Sequence, residues 1–352
     1  MSEGSVFQRK DGKWCGKWKD ASGKWRYLYR KTKAEAKQAL REALRDRDDN
    51  IIPAEKMTLA DALQQWLVGK EGTISRRTYV NREALVRIHV QSHPVGSVRL
   101  CKLTGEHLRG FYREKLRTLS PSSVGQLHNA INTACKEQVR ARTVRSNPAA
   151  EVKPPRNHNT SRDKDVLTPQ QVKALLETVY GSRYETVIVL GATCALRVGE
   201  ALALRWEDID PQEGTVSIRH TLWKGKLYPP KTPQSRRTLK LPERALEALR
   251  RHAGQRKEGY LLQTRNGTPV AAENFWYCGW KPVLRAAGLD ESLTFHQLRH
   301  GAASLLLNQN VPIPVVSKYL GHASPNITMR VYAHVLAGTS GIAADGIDAA
   351  LQ

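Results

Sequence analysis

The chain lacks most of what would place it in a membrane or stabilise it outside a cell. Its five cysteines, Cys15, Cys101, Cys135, Cys194 and Cys278, are odd in number, widely spaced and without a Cys-x-x-Cys pair. That excludes a disulfide framework or a zinc knuckle and suits a reducing cytoplasm. The first residues show no basic segment followed by an apolar run, so no signal peptide is expected. The longest apolar stretch, around Val187 to Leu196, is far below membrane-spanning length. Low-complexity tracts and long-period repeats are also missing. Acidic side chains are scarce beside basic ones, 33 against 56, for a net charge of +23 and a pI near 10.0. The excess runs through every segment rather than one tail, which points to a polyanionic partner.

A length of 352 residues favours two or three domains over one core. Residues 4–30 read as a three-stranded meander. Short aromatic-rich runs (Ser5-Val6-Phe7, Trp14 to Trp18, Trp25 to Tyr29) are split by turns at Asp11-Gly12 and Ser22-Gly23. Thr32-Lys33-Ala34-Glu35 is a capping box for a helix with Ala36, Ala39, Leu40, Ala43 and Leu44 inward. Basic residues interleave with the aromatics, so the sheet face is expected to read a DNA groove. The alternative is a structural appendage whose Trp and Tyr residues are its core.

Ile51 to Glu55 reads as a linker. Four helical patterns follow: one capped by Thr58, then about Ser75 to His89, Thr104 to Leu116 and Pro121 to Arg140. Asn147-Pro148 ends this all-helical region, and Pro154 to Ser161 reads as a joint. The third region opens with Thr168-Pro169, a cap with proline at the first helical position. An apolar helical pattern from about Arg183 to Ala195 follows. Gly214 to Ile218 and Thr238 to Leu241 are strand-like, with Lys224-Gly225 as a turn, and the patterns from Pro242 onward are mostly helical.

Within this region a few side chains stand out chemically. Arg197 adjoins an apolar stretch, and its planar fork suits two phosphate oxygens. Glu200, one turn on, is placed to hold that guanidinium, although the two would also make a plain structural bridge. Lys231 follows Pro229-Pro230 in a hairpin-like segment, where a lysine can reach a substrate and release a proton; Lys224, Lys226 and Lys240 compete with it. His296, Arg299 and His300 share one helical face by their spacing. A zinc helix of the His-Glu-x-x-His type is disfavoured, because Gln297 stands where that motif needs its glutamate. Gly321 marks a helix stop and leaves His322 at an element's end. Tyr332 lies ten residues on, and with a free pKa of about 10 its phenol needs a base and a cationic setting to attack phosphorus. A tyrosine packed in the core is the other reading.

Taken in order, Arg, Lys, His-x-x-Arg, His and Tyr in these contexts resemble the tyrosine recombinase (phage integrase) family. The matching strings are Leu-Arg-Val-Gly-Glu with Leu-Arg-Trp-Glu-Asp-Ile-Asp, Pro-Lys-Thr with Ser-Arg-Arg, Thr-Phe-His-Gln-Leu-Arg-His, and Leu-Gly-His with Thr-Met-Arg-Val-Tyr-Ala-His. Two positions depart from the family pattern. Members often carry Thr-Gly where this chain has Cys194-Ala195, and Thr or Ser where it has Gly301.

The resemblance implies a multidomain fold, mainly α with small β. It has an arm-type DNA-binding domain over 1–50, a helical core-binding domain over 57–150, a linker over 151–165 and a mostly helical catalytic domain with a small antiparallel sheet over 166–340. A tail over 341–352 would dock on a neighbouring protomer. The implied catalytic set is Arg197, Lys231, His296, Arg299, His322 and Tyr332, with Glu200 and His300 in support and with neither metal nor other cofactor. Tyr332 would attack DNA and form a 3′-phosphotyrosyl link, with His296 helping to take its proton, and the reaction would integrate or excise a mobile element. The implied partners are double-stranded attachment sites, a homo-tetramer on DNA, and a host DNA-bending protein or directionality factor. The implied setting is the cytoplasm, near the nucleoid and away from membranes. A type IB topoisomerase and a DNA-binding regulator on the same scaffold are the alternatives.

Overall fold

The structure, a computed structural model, describes residues 4–20, 23–48, 56–154, 167–254 and 258–336, together with Asp348 and Leu351. The Ile51 to Glu55 linker, nearly all of the Pro154 to Ser161 joint and nearly all of the 341–352 tail lie outside the described residues. Two compact units are present, Met1–Thr160 and Ser161–Gln352.

The first unit begins with an antiparallel meander of β1 (Gly4–Gln8), β2 (Trp14–Lys19) and β3 (Trp25–Arg30) in that order. Helix α1 (Lys33–Asp48) covers one side, with Ala36 and Leu40 buried and Leu40 packed over Gly4 of β1. Its start is held as expected, Glu35 N–H donating to Thr32 Oγ1 and Thr32 N–H to Glu35. The aromatics divide: Trp14 and Trp18 of β2 are half-buried, with Lys33 of α1 over the Trp14 ring, and the others stay open. Trp25, Tyr27 and Tyr29 alternate along β3 and stay 45–49% exposed on the face away from α1, with Phe7 of β1 also open.

Four further helices follow: α2 (Leu59–Lys70), α3 (Arg76–Val86), α4 (Gly105–Lys115) and α5 (Pro121–Arg140). Thr58, Ser75, Thr104 and Ser120 cap them with side-chain oxygens, which is why the starts were readable from local sequence. Leu59, Leu63, Trp66 and Leu67 share a core with Leu108, Phe111, Leu127 and Ile131. Arg145, beyond α5, pairs with Asp46 at 2.6 Å and donates to the Glu42 carbonyl at 2.9 Å, tying α1 to this bundle.

The second unit runs α6 (Pro169–Thr178), α7 (Glu185–Thr193), a single turn α8 (Val198–Ala201), β4 (Ile209–Asp210), β5 (Thr215–Ile218), β6 (Thr221–Trp223), β7 (Lys226–Tyr228) and β8 (Arg237–Lys240). Then come α9 (Glu243–Ala253), α10 (Ala272–Phe275), α11 (Lys281–Ala286), α12 (His296–Asn308), α13 (Ile313–Leu320) and α14 (Pro325–Leu336), which is broken at Tyr332. The sheet order is β4-β5-β8, all antiparallel, with β6-β7 as a separate hairpin. That hairpin turns at Lys224 and Gly225, both left-handed (φ 47° and 72°), which glycine adopts at no steric cost. Helix α7 is the buried axis: Val187, Ile188, Val189 and Leu190 are all buried in the main core with Phe295, Leu298, Trp280 and Val216. A smaller cluster joins α12, α13 and α14 through Ala303, Leu307, Val316, Leu320 and Tyr332. Among the described residues no helix is long and apolar enough to cross a membrane.

Candidate active site

The site is assembled where α7 ends. The chain reverses at Ala195, which sits in the left-handed region at φ 52° and is fully buried. This is the position of the first departure from the family pattern. A glycine takes that conformation freely, whereas alanine pays on the order of 1 kcal/mol. The reversal turns the Ala195 carbonyl toward α12, where it accepts from Arg299 Nη1 at 2.8 Å. It also sets Arg197 as the cap of α8. The Arg197 backbone N–H donates to Glu200 Oε2 at 3.1 Å, and its Nη1 donates to Glu200 Oε1 at 2.6 Å.

Glu200 is 3% exposed and holds two guanidiniums, since Oε2 also accepts from Arg237 Nη2 at 3.3 Å. Burial alone would raise its pKa, but Arg237 and Arg197 outweigh burial and hold the carboxyl below its usual value. The two readings of the Arg197–Glu200 pair are thus compatible. The bridge exists, and Arg197 remains 38% exposed, so it can still meet a ligand.

Arg299 lies deeper. It is 2% exposed, and its Nη2 has no hydrogen-bond partner among the described residues. Burial first, then the neighbouring charge of Arg197, lowers its pKa to about 9. A buried guanidinium with an idle N–H is costly unless an anion arrives to use it. Three arginines (197, 237, 299) surround one carboxylate, which leaves 3 − 1, a surplus of two positive charges.

His322 follows Gly321, the left-handed C-cap of α13 (φ 67°). Its Nδ1 shares a hydrogen bond with the buried Thr328 hydroxyl at 2.8 Å. Burial, followed by Arg299, Arg197, Arg237 and His300, drives its pKa down to about 4, so the ring is neutral at neutral pH.

Tyr332 interrupts α14 with non-helical torsions (φ −114°, ψ 19°) and is 2% exposed. Its hydroxyl and His300 Nδ1 share a hydrogen bond at 2.8 Å. Burial raises its pKa to about 12, against an opposing pull from Arg299. Of the two histidines on the α12 face, the phenol meets His300 and not His296. His296 is exposed, lies edge-on to the His300 ring at 4.7 Å between centroids, and lines an open apolar cleft of about 380 Å³ with Val198, Trp276, Tyr277 and Phe295.

The structure therefore brings Arg197, Glu200, Arg299, His300, His322 and Tyr332 into one electrostatic neighbourhood, with His296 edge-on to His300. Lys231 stands apart. It is exposed, between β7 and β8, and makes no hydrogen bond or ion pair with the described residues. Arg237 and Thr328 stand in the matching strings, but sequence reading assigned neither of them a role. For Arg237 a signal existed: it alternates with the buried Leu239 on the same face of β8, an inward place where a charge needs a partner.

The phage integrase family model matches residues 165–338. An integrase of Streptomyces ambofaciens is 30% identical over 325 residues, which cover 86% of this chain and 83% of that protein. A XerC-like tyrosine recombinase of Caldanaerobacter subterraneus subsp. tengcongensis is 25% identical over 358 residues, 90% of each chain. Among solved structures, a transposon Tn1549 integrase in complex with a circular intermediate DNA superposes with a TM-score of 0.69 at 20% identity, covering 78% of this chain and 94% of that one. A lambda integrase, solved as a tetramer bound to a Holliday junction, gives a TM-score of 0.59 at 16% identity over 91% and 96%. These two structural likenesses establish a common fold.

Proposed function

The chain belongs to the phage integrase family and is a tyrosine site-specific recombinase, and from that premise we propose that Tyr332 is its nucleophile toward a DNA phosphodiester. The phenol oxygen forms a bond to phosphorus and the bond from phosphorus to the 5′-oxygen breaks. The products are a 3′-phosphotyrosyl link and a free 5′-hydroxyl, and attack by a 5′-hydroxyl from another duplex reverses the step and exchanges strands. The observation that carries this reading is the idle Nη2 of buried Arg299 beside Arg197, in a site with two surplus positive charges. A phosphodiester brings one negative charge, and the pentacoordinate transition state brings a second, so the surplus favours the transition state over the ground state.

Each remaining group has a place in that scheme. His300, hydrogen-bonded to the phenol, receives its proton, with His296 next in line toward solvent. The neutral His322 ring, with Nδ1 taken by Thr328, offers Nε2 to a non-bridging oxygen. Lys231, exposed between β7 and β8, protonates the departing 5′-oxygen. At 2% exposure the phenol cannot meet a duplex where it lies, so α14 opens at its break, Tyr332, on DNA binding, while Arg197, Arg299, His300 and the His322 turn stay in place.

The remaining assignments follow from family membership. Residues 1–50 serve as the arm-type domain, residues 57–150 as the core-binding domain, and the working form is a tetramer on attachment-site DNA that moves a mobile element. A host bending protein or directionality factor completes that assembly. For Tyr332→Phe, a gel shift should show DNA binding equal to the parent, and a denaturing gel on a nicked duplex should show no covalent adduct. An adduct formed by that variant would overturn the assignment.

A further inference from the structure

One buried cation outside the six expected residues touches three parts of the site at once. Arg237 opens β8 with its side chain 6% exposed. Its Nε donates to the Tyr319 carbonyl at 2.8 Å, Nη1 to the Ser235 carbonyl at 3.1 Å, and Nη2 to Glu200 Oε2 at 3.3 Å. Each acceptor belongs to a different functional segment. Tyr319 is in the last turn of α13, just ahead of Gly321 and His322. Ser235 ends the segment that carries Lys231, and its hydroxyl donates to the Gly321 carbonyl at 3.4 Å. Glu200 orients Arg197. The contact with Gly321 is close as well: a Cβ there would stand 3.0 Å from Arg237 Nη1 and 3.1 Å from the Gln234 carbonyl, in a backbone conformation that already favours glycine.

Resting on the reading of this site as a phosphodiester-cutting centre, we propose that Arg237 is a positioning residue that holds the Arg197 turn, the Lys231 segment and the His322 turn in one register. It acts through those groups and not on DNA, because all three of its nitrogens are engaged by the protein and the side chain is covered. The planar fork is what the place requires. Three acceptors lie around one guanidinium, and an ammonium, with its donors on a single atom, cannot span them. Arg237 also adds charge to the field around His322, which is faced by Arg299 and His300 from α12, Arg197 from the cap of α8 and Arg237 from β8.

The test compares Arg237→Lys and Arg237→Gln in the full chain, with Glu200→Gln alone and combined with Arg237→Gln. Circular dichroism and a gel shift establish that each variant folds and binds DNA within about threefold of the parent. Covalent adduct formation on a nicked duplex should fall about 100-fold in both Arg237 variants, since neither restores the fork. The double variant should be no slower than Arg237→Gln, because the two residues work as one unit. The His322 ring, titrated by NMR, should rise by at least about half a pKa unit in Arg237→Gln, which removes a like charge, and stay near the parental value in Arg237→Lys. Adduct rates within about threefold of the parent, or losses that multiply independently between Glu200 and Arg237, would overturn the proposal. If the parent itself formed no adduct on any DNA, the cleavage reading would fall. The His322 titration and a thermal-unfolding cycle between Glu200 and Arg237 would still decide this proposal, since neither requires turnover.

Discussion

On the open face of the N-terminal sheet, Lys17 Nζ lies 4.1 Å from the centre of the Trp25 ring and the Arg9 guanidinium 5.0 Å from that of Tyr29, all in contact with solvent. Around Glu200, by contrast, Arg237 and Arg299 are covered and only Arg197 is partly open. Both places concentrate positive charge, and the physics differs. A solvated cation resting on an aromatic face gains only about 0.5–1 kcal/mol from it and remains free to exchange its counterions for phosphates. A buried guanidinium has already lost its water, so the fold keeps it only because neighbouring groups compensate, carbonyls and Glu200 for Arg237 and the Ala195 carbonyl for Arg299, whose Nη2 is left over for the ligand. The exposed face is suited to affinity, which salt weakens. The covered cluster is suited to chemistry, which depends on geometry fixed before the substrate arrives.

That contrast can be broken most sharply at Arg299. Arg299→Lys retains a buried positive charge but loses the fork, and adduct formation on a nicked duplex should drop roughly 1,000-fold while duplex binding holds. A loss of binding in proportion to the loss of cleavage would instead make Arg299 an affinity residue like those on the sheet. Lys231→Ala comes next, with a loss of about 100-fold expected from removing a general acid. A substrate whose 5′-bridging oxygen is replaced by sulfur, a better leaving group, should restore most of that rate, and absence of rescue would remove Lys231 from the acid's role.

On the exposed face the effects should be smaller and of a different kind. Lys17→Ala should shallow the slope of log K against log salt by about 0.9 for arm-site DNA, the amount expected for one lost phosphate contact. The rate of adduct formation on saturated DNA should not change; an unchanged slope would mean that this face does not meet the backbone. The smallest effect concerns Gly301, the second departure from the family pattern. A Cβ there would meet nothing closer than the Leu167 carbonyl at 3.5 Å, an ordinary contact inside α12. Gly301→Ala should therefore raise stability by about 0.5–1 kcal/mol, visible as a higher Tm, with cleavage unaltered. A lower Tm would show that the space is needed for motion within the helix.

Much of the second unit was open to inspection before folding was considered. The caps at Thr168 and Gly321, the turn at Lys224-Gly225 and the strands around Val216 and Leu239 are local matters, settled by torsional preference and side-chain reach over a few residues. Arg197 was conspicuous as a charge beside apolar sequence, and Arg299 as a cation sharing a helical face with two histidines. The choice between His296 and His300 was not accessible in that way. Their spacing puts both on one face of α12, and only the approach of α14 selects which of them meets the phenol. Arg237, though part of the quoted Ser-Arg-Arg string, had no legible role, because its partners come from residues 200, 235 and 319, segments that no local pattern links.

The letters of the chain, read in order, specify which chemical groups are available to cut a phosphodiester and which short elements carry them, because residue type and local torsion are properties of near neighbours. Whether those groups share a field, which carboxylate two arginines divide between them, and how deeply the Tyr332 phenol is covered are settled only when α8, β8, α12, α13 and α14 pack together. Burial and Coulomb energy depend on distances in space, and the chain sets those distances only once it has closed on itself.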